Sequence, residues 1–152
     1  MPTAADRLRS AILWLAAGWI AWEFLYYLQF KLTGAEGSVF LFTILSDWLG
    51  TPGGEKPFRI FVAAMEIVAA VLVLIPRTRP FGGLFTVGIM AGAIFFHLAS
   101  PLGVDPYDDG AMLFKEACFT LLMGLLIVWL ERASLLPWLP AALRARLPRA
   151  FA

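Results

Sequence analysis

Four stretches of nearly unbroken apolar sequence divide this chain, each close to the roughly 20 residues that carry a helix across about 30 Å of hydrocarbon. They run from about Leu8 to Leu28, Phe58 to Ile75, Phe81 to Leu102 and Ala111 to Leu130. A helix satisfies its own backbone hydrogen bonds inside a bilayer, so the pattern predicts an all-α, four-helix transmembrane bundle. Between the second and third stretches lie Pro76, Arg77, Thr78, Arg79 and Pro80. Prolines stop one helix and open the next, so these two spans are expected to form an antiparallel hairpin. The longer connection from Gln29 to Pro57 holds its own apolar piece, Val39 to Leu49. It is too short to cross and predicts a helix that caps the bundle or lies in the interface.

The ends of the pattern need separate readings. Arg7 and Arg9 precede the first apolar run as they would in a secretory leader. The run continues past Glu23 without a small-x-small cleavage site, so it reads as a retained span. After the fourth span, the tail carries Leu135, Leu136, Trp138, Leu143 and Phe151 together with Arg144, Arg146 and Arg149. Such a segment is held at an interface by apolar contact and anionic lipid. Pro137, Pro140 and Pro148 keep it from forming one long helix. The expected organisation is a four-span membrane domain over 1–132 and a basic amphipathic interfacial tail over 133–152.

Composition agrees: 61% of the 152 residues are hydrophobic and 15% are charged, against roughly 45–50% and 25% in soluble domains. A net charge of +1 gives no global field for nucleic acid. Its distribution is more informative, because Lys and Arg accumulate on the cytoplasmic side. Arg7, Arg9, Arg77, Arg79, Arg132, Arg144, Arg146 and Arg149 fall on one side of a four-span arrangement. Lys31, Lys56, Arg59 and Lys115 fall on the other, with Asp47, Asp105, Asp108 and Asp109. Both termini are therefore expected to be cytoplasmic.

Each span also carries an ionisable side chain in or near its apolar run: Glu23, Glu66, His97, and the pair Lys115 and Glu116. Insertion scales charge about 2.5–3.5 kcal/mol for Asp, Lys or Arg at the centre of a span, so such groups need partners or a wet cavity. The rise per helical residue puts Glu23 ~9 Å below Gln29, His97 ~8 Å below Leu102 and Glu66 ~12 Å below Phe58, all in the outer half. Helical phase places Ala63, Ala69, Ala70 and Arg59 on the face of Glu66, and Trp19, Ile20, Tyr26 and Tyr27 around Glu23. Either phenol is a candidate donor to Glu23. On the third span His97 shares a stripe with Thr86, Ala93 and Ser100, and Gly88-x-x-x-Gly92 on the opposite side suggests close helix packing inside the bundle. The expected cluster is Glu23, Tyr26, Tyr27, Arg59, Glu66, His97, Lys115 and Glu116, read either as a ligand pocket or as polar latches that fix helix pairing.

Other chemistry is poorly supported by the residues. One histidine cannot supply paired axial haem ligands, and no three-residue zinc site is evident. A lone cysteine, Cys118, excludes an intrachain disulfide or CxxC motif and reads as a small core residue. Asp105, Asp108 and Asp109 lack the spacing of a calcium-binding EF-hand and read as a solvated turn.

Several short motifs give a resemblance. Phe30-Lys31-Leu32-Thr33-Gly34 after the first span, Glu66 in the second, Leu74-Ile75-Pro76-Arg77-Thr78 at the hairpin and His97-Leu98 in the third resemble the DoxX family. The resemblance covers roughly Trp14 to Leu130. It implies a four-helix protein of the bacterial cytoplasmic (inner) membrane, whose relatives include a small subunit of a thiosulfate:quinone oxidoreductase and components of redox assemblies. It supplies no family-wide catalytic residue.

Three functions compete. The leading expectation is a non-catalytic subunit or binding module of a quinone-linked membrane redox system, with an outer-half pocket for an amphipathic ligand such as a quinone or lipid. Its partners would be the bilayer, a redox-complex subunit or a second copy of the chain. The alternatives are an acid/base membrane enzyme using Glu23, Glu66 and His97, and a proton-coupled transporter of small solutes.

Overall fold

The computed structural model describes Met1 and residues 3–138, and every structural statement below concerns these residues. Pro140, Leu143, Arg144, Arg146, Pro148, Arg149 and Phe151 of the expected interfacial tail lie outside them. The chain is all-helical: α1 (Ala4–Thr33), α2 (Glu36–Trp48), α3 (Glu55–Leu74), α4 (Arg79–Ala99), α5 (Met112–Leu130) and a single turn α6 (Arg132–Leu135), followed by a 3-10 turn over Leu136–Trp138. Four of these helices, α1, α3, α4 and α5, are long and apolar enough to cross a membrane.

Local chemistry sets the helix ends. Thr3 caps α1 reciprocally with Asp6: the Asp6 N–H donates to Thr3 Oγ1 at 3.2 Å and the Thr3 N–H to Asp6 Oδ2 at 2.9 Å. At the far end Gly34 takes a left-handed conformation, φ 69°, and its N–H donates to the Phe30 carbonyl. With 30 residues, α1 is ~45 Å long and overruns a hydrocarbon core. The turn between α3 and α4 is as short as its prolines demand, and Pro80 sits near the start of α4 where no N–H partner is lost.

The four long helices close into a ring in which α1 packs on α3, α3 on α4, α4 on α5 and α5 back on α1. Each turns a stripe of small residues inward at three- and four-residue spacing. The stripes are Ala16, Ala17 and Ala21 on α1, Ala63, Ala69 and Ala70 on α3, Gly82, Gly83 and Thr86 on α4, and Ala117, Thr120 and Gly124 on α5, all buried. Small side chains let the helix backbones approach closely, and that approach supplies contact energy. Ile20, Phe24, Val73 and Ile127 fill the remaining space. The short helix α2 lies over one end of the ring, packed mainly on α3 and more lightly on α1.

The opposite end is built around Arg79. This side chain is 3% exposed, its Nε donates to the Val73 carbonyl at 3.0 Å, and its guanidinium lies 4.3 Å from the centroid of the Trp14 ring. Sequence counting treats it as one of several basic flanks, yet it is a buried clamp between the α3–α4 turn and α1. Arg7, Arg9 and Arg77 are exposed as such flanks usually are. Trp138 folds back edge-to-face on Phe81, 5.4 Å between centroids.

The glycines sort differently from their spacing. A Cβ on Gly82 would fall 2.6 Å from the Val73 backbone nitrogen, and Gly83 and Gly124 would each push a Cβ to within 3.2 Å or less of the other's carbonyl oxygen. Gly88 and Gly92 meet nothing within 4 Å, so their expected role in helix packing is not what the structure shows. Gly82→Ala is therefore expected to destabilise the bundle by about 1–3 kcal/mol through backbone overpacking. Gly92→Ala should be neutral or stabilising by up to about 1 kcal/mol, the helix-propensity difference. Thermal unfolding of the two variants in detergent separates them, and equal losses would contradict the packing described.

Candidate functional site

A cavity of about 510 Å³ occupies the α2 end of the ring. Three residues one helical turn apart, Glu23, Tyr27 and Lys31, form a polar line down α1, and Cβ vectors tilted toward the helix N-terminus send the long Lys31 side chain back along it. Lys31 Nζ lies 5.6 Å from the Tyr27 ring centroid and 3.0 Å from Glu66 Oε2. Glu66 comes from the small-residue face of α3, where flanking alanines bring the two helices close. His97, at the end of α4, enters from the third side, with its Nδ1 2.6 Å from the carbonyl oxygen of Gly103. A carbonyl only accepts, so the proton resides on Nδ1 and Nε2 is left free.

The remaining wall is apolar, formed by Phe24, Phe58, Met65, Met90 and Phe96 with Leu41, Phe42 and Leu45 of α2. Gly88 and Gly92 also line it. Without side chains, and with no neighbour where a Cβ would stand, they leave the space open. On the cavity wall, the Tyr107 hydroxyl donates to the Gly37 carbonyl at 2.7 Å, tying the α4–α5 connection to the start of α2.

Of the eight residues the sequence suggests as a cluster, Glu23, Tyr26, Tyr27, Glu66 and His97 line this cavity. Glu116 stands one layer behind, accepting a hydrogen bond of 2.6 Å from the Tyr27 hydroxyl. The expected phenol donor to Glu23 thus serves another carboxylate on α5. Arg59 shares the buried face of Glu66 but does not line the cavity. It donates instead to Glu55 and to the Lys31 carbonyl, and its guanidinium packs in the notch left by Gly34. The last carbonyls of a helix carry partial negative charge, so a cation there completes the end of α1. Lys115 is also outside the cavity: it is exposed in the first turn of α5, and its flexible stem reaches toward Gly110 of the preceding loop.

Lys31 is the principal residue that the sequence reading leaves out of the cluster. Its position beyond the apolar run hides it, yet its i, i+4, i+8 relation to Tyr27 and Glu23 was visible. Glu23 is 5% exposed and its Oε2 has no hydrogen-bond partner. Among the described residues no group of three or more His, Cys, Asp or Glu side chains is placed to hold a metal ion. Chemically, the site is an apolar chamber with one internal ion pair, one phenol-carboxylate bond, one oriented imidazole and two buried carboxyl oxygens, on Glu23 and Glu66, that accept no hydrogen bond.

In the connection between α4 and α5, the Asp105 carboxylate accepts from the N–H groups of Asp109 at 3.0 Å and Gly110 at 3.1 Å, and Asp109 Oδ1 accepts from Met112 at the start of α5 at 3.0 Å. The backbone N–H of Ala111, with those of Asp109 and Gly110, holds the Asp105 carboxyl below its ordinary value of 3.8. A depressed folded value means that the loop gains from ionised Asp105 above that ordinary value and loses it as pH falls through the folded one. Amide hydrogen exchange at Asp109 and Gly110 should therefore lose protection below about pH 4, near the ordinary aspartate range. Asp105→Asn should remove that pH dependence, and an unchanged profile would exclude the turn as described.

The fold and cavity together define a class: a helical bundle with four membrane-length helices and a polar-tipped apolar chamber at one end. Comparison with known protein families, curated proteins and solved structures finds no match for this chain.

Proposed function

We propose that this chain is a DoxX-like membrane protein that binds an amphipathic ligand in the cavity at its α2 end, as a subunit or binding module of a quinone-linked redox system. The carrying observation is the cavity itself, about 510 Å³, within the 300–1,000 Å³ usual for small-molecule sites that combine apolar walls with a few convergent polar groups. The proposed setting is the bacterial cytoplasmic membrane with both termini inside, which puts the α2 end and the cavity in the outer half. The excess of arginine at the end carrying the α3–α4 turn supports that orientation.

A binding role fits the way the polar groups are engaged. Lys31 is paired with Glu66 and Tyr27 with Glu116, which favours orientation of a ligand over free acid/base work. Alternating access gains no support from the helices, since α1, α3, α4 and α5 run unbroken and many carriers use interrupted ones.

Purification in mild detergent followed by native mass spectrometry should reveal a retained lipid-like molecule. Glu66→Gln with His97→Ala, and independently the cavity-filling Gly92→Leu, should each lower its occupancy at least several-fold while thermal unfolding remains cooperative. Retention unchanged in both variants would remove the cavity as the binding site.

A further inference from the structure

We propose that the cavity selects ligands whose polar end donates a hydrogen bond, a hydroxyl or an ammonium on an apolar body, and that Glu23 receives that donor. This rests on the binding reading above and adds to it the polarity of the ligand's head. Three donor groups on the wall already face an acceptor, the Lys31 ammonium with one of its three N–H bonds. Lys31 Nζ faces Glu66 Oε2 at 3.0 Å, the Tyr27 hydroxyl gives its proton to Glu116 at 2.6 Å, and His97 directs Nδ1 at the Gly103 carbonyl at 2.6 Å. The remaining phenol, Tyr26, is exposed and stacked on Trp22 at 5.4 Å between centroids.

One buried acceptor is left without a donor. Glu23 offers an oxygen with no partner on a side chain that is 5% exposed. A buried acceptor without a donor is costly, and the cost disappears when a ligand supplies the missing N–H or O–H. Charge points the same way: Glu66, Glu116 and Lys31 all lie within electrostatic reach of Glu23, so three carboxyl groups share the region with one lysine. An ester, ether or ketone head turned toward Glu23 would place an acceptor against an acceptor. The apolar wall then holds the body of the ligand, beside the open space at Gly88 and Gly92.

The test uses matched probes on the full chain in nanodiscs of zwitterionic lipid, with partitioning into empty discs subtracted. One pair is 4-nonylphenol and its methyl ether; the other is dodecylamine and dodecyltrimethylammonium, which keeps the charge but has no N–H. The donor of at least one pair is expected to bind about fivefold more tightly than its partner, the scale of one net hydrogen bond. Whichever pair shows it tells a hydroxyl head from an ammonium head. In Glu23→Gln, whose amide both donates and accepts, the preference should shrink to about twofold or less. The wild-type ratios do not depend on that variant folding. Equal binding within both pairs, or tighter binding of the ether, overturns the donor assignment while leaving the cavity a binding site. A preference that persists in a cooperatively folding Glu23→Gln protein overturns the role of Glu23. Failure of all four probes to bind above empty discs overturns the binding reading and this proposal together.

Discussion

The ion pair between Lys31 and Glu66 is the constraint on which the α2 end of this bundle depends. Taking two charges out of water costs several kcal/mol each unless they meet in good geometry. Here one comes from the last turn of α1 and the other from the middle of α3, 3.0 Å apart. Pairing them fixes the register of the two helices. Arg59 extends the same joint by binding the Lys31 carbonyl and Glu55, so side chain and backbone of one residue are held by two different turns of α3.

From that joint the rest of the site follows. Lys31 can reach Glu66 only because alanines on α1 and α3 let the helices approach. Elsewhere in the ring, Gly82, Gly83 and Gly124 bring α4 against α3 and α5. Toward the α2 end the small residues no longer face a neighbour: Gly88 and Gly92 leave a void, and the covering α2 closes it with Phe42 and Leu45. One sequence device, the small residue in a helix, thus produces tight packing at one level and a chamber at another. The difference lies in whether a second backbone stands opposite.

Much of this fold is legible from hydropathy, because the thickness of hydrocarbon imposes a length on every span. The four spans and the short helix between the first two are where the pattern puts them, although α1 runs from Ala4 to Thr33 and not only from Leu8 to Leu28. An apolar window ends at the first charged residues, whereas the helix ends at its caps, Thr3 with Asp6 and Gly34. The site is less legible. Depth along each helix puts Glu23, Glu66 and His97 at a shared level, and all three line one cavity. Partner choice across helices has no such rule: Tyr27 turns to Glu116 and not to Glu23 one turn away, and Arg59 serves a helix end. Spacing alone likewise cannot tell Gly88 and Gly92, which border a void, from Gly82, which touches a backbone. Periodicity gives the face of a residue but not what lies across from it.

Lys31 and Glu66 stabilise the bundle as a pair. A double-mutant cycle with Lys31→Met, Glu66→Gln and the combined variant, read by reversible unfolding in mixed detergent micelles, tests it most directly. The expected result is a coupling of about 1–3 kcal/mol, the range for residues in direct contact, with the double variant losing no more than the worse single one. Losses that add to within about 0.5 kcal/mol, as for independent sites, would contradict it.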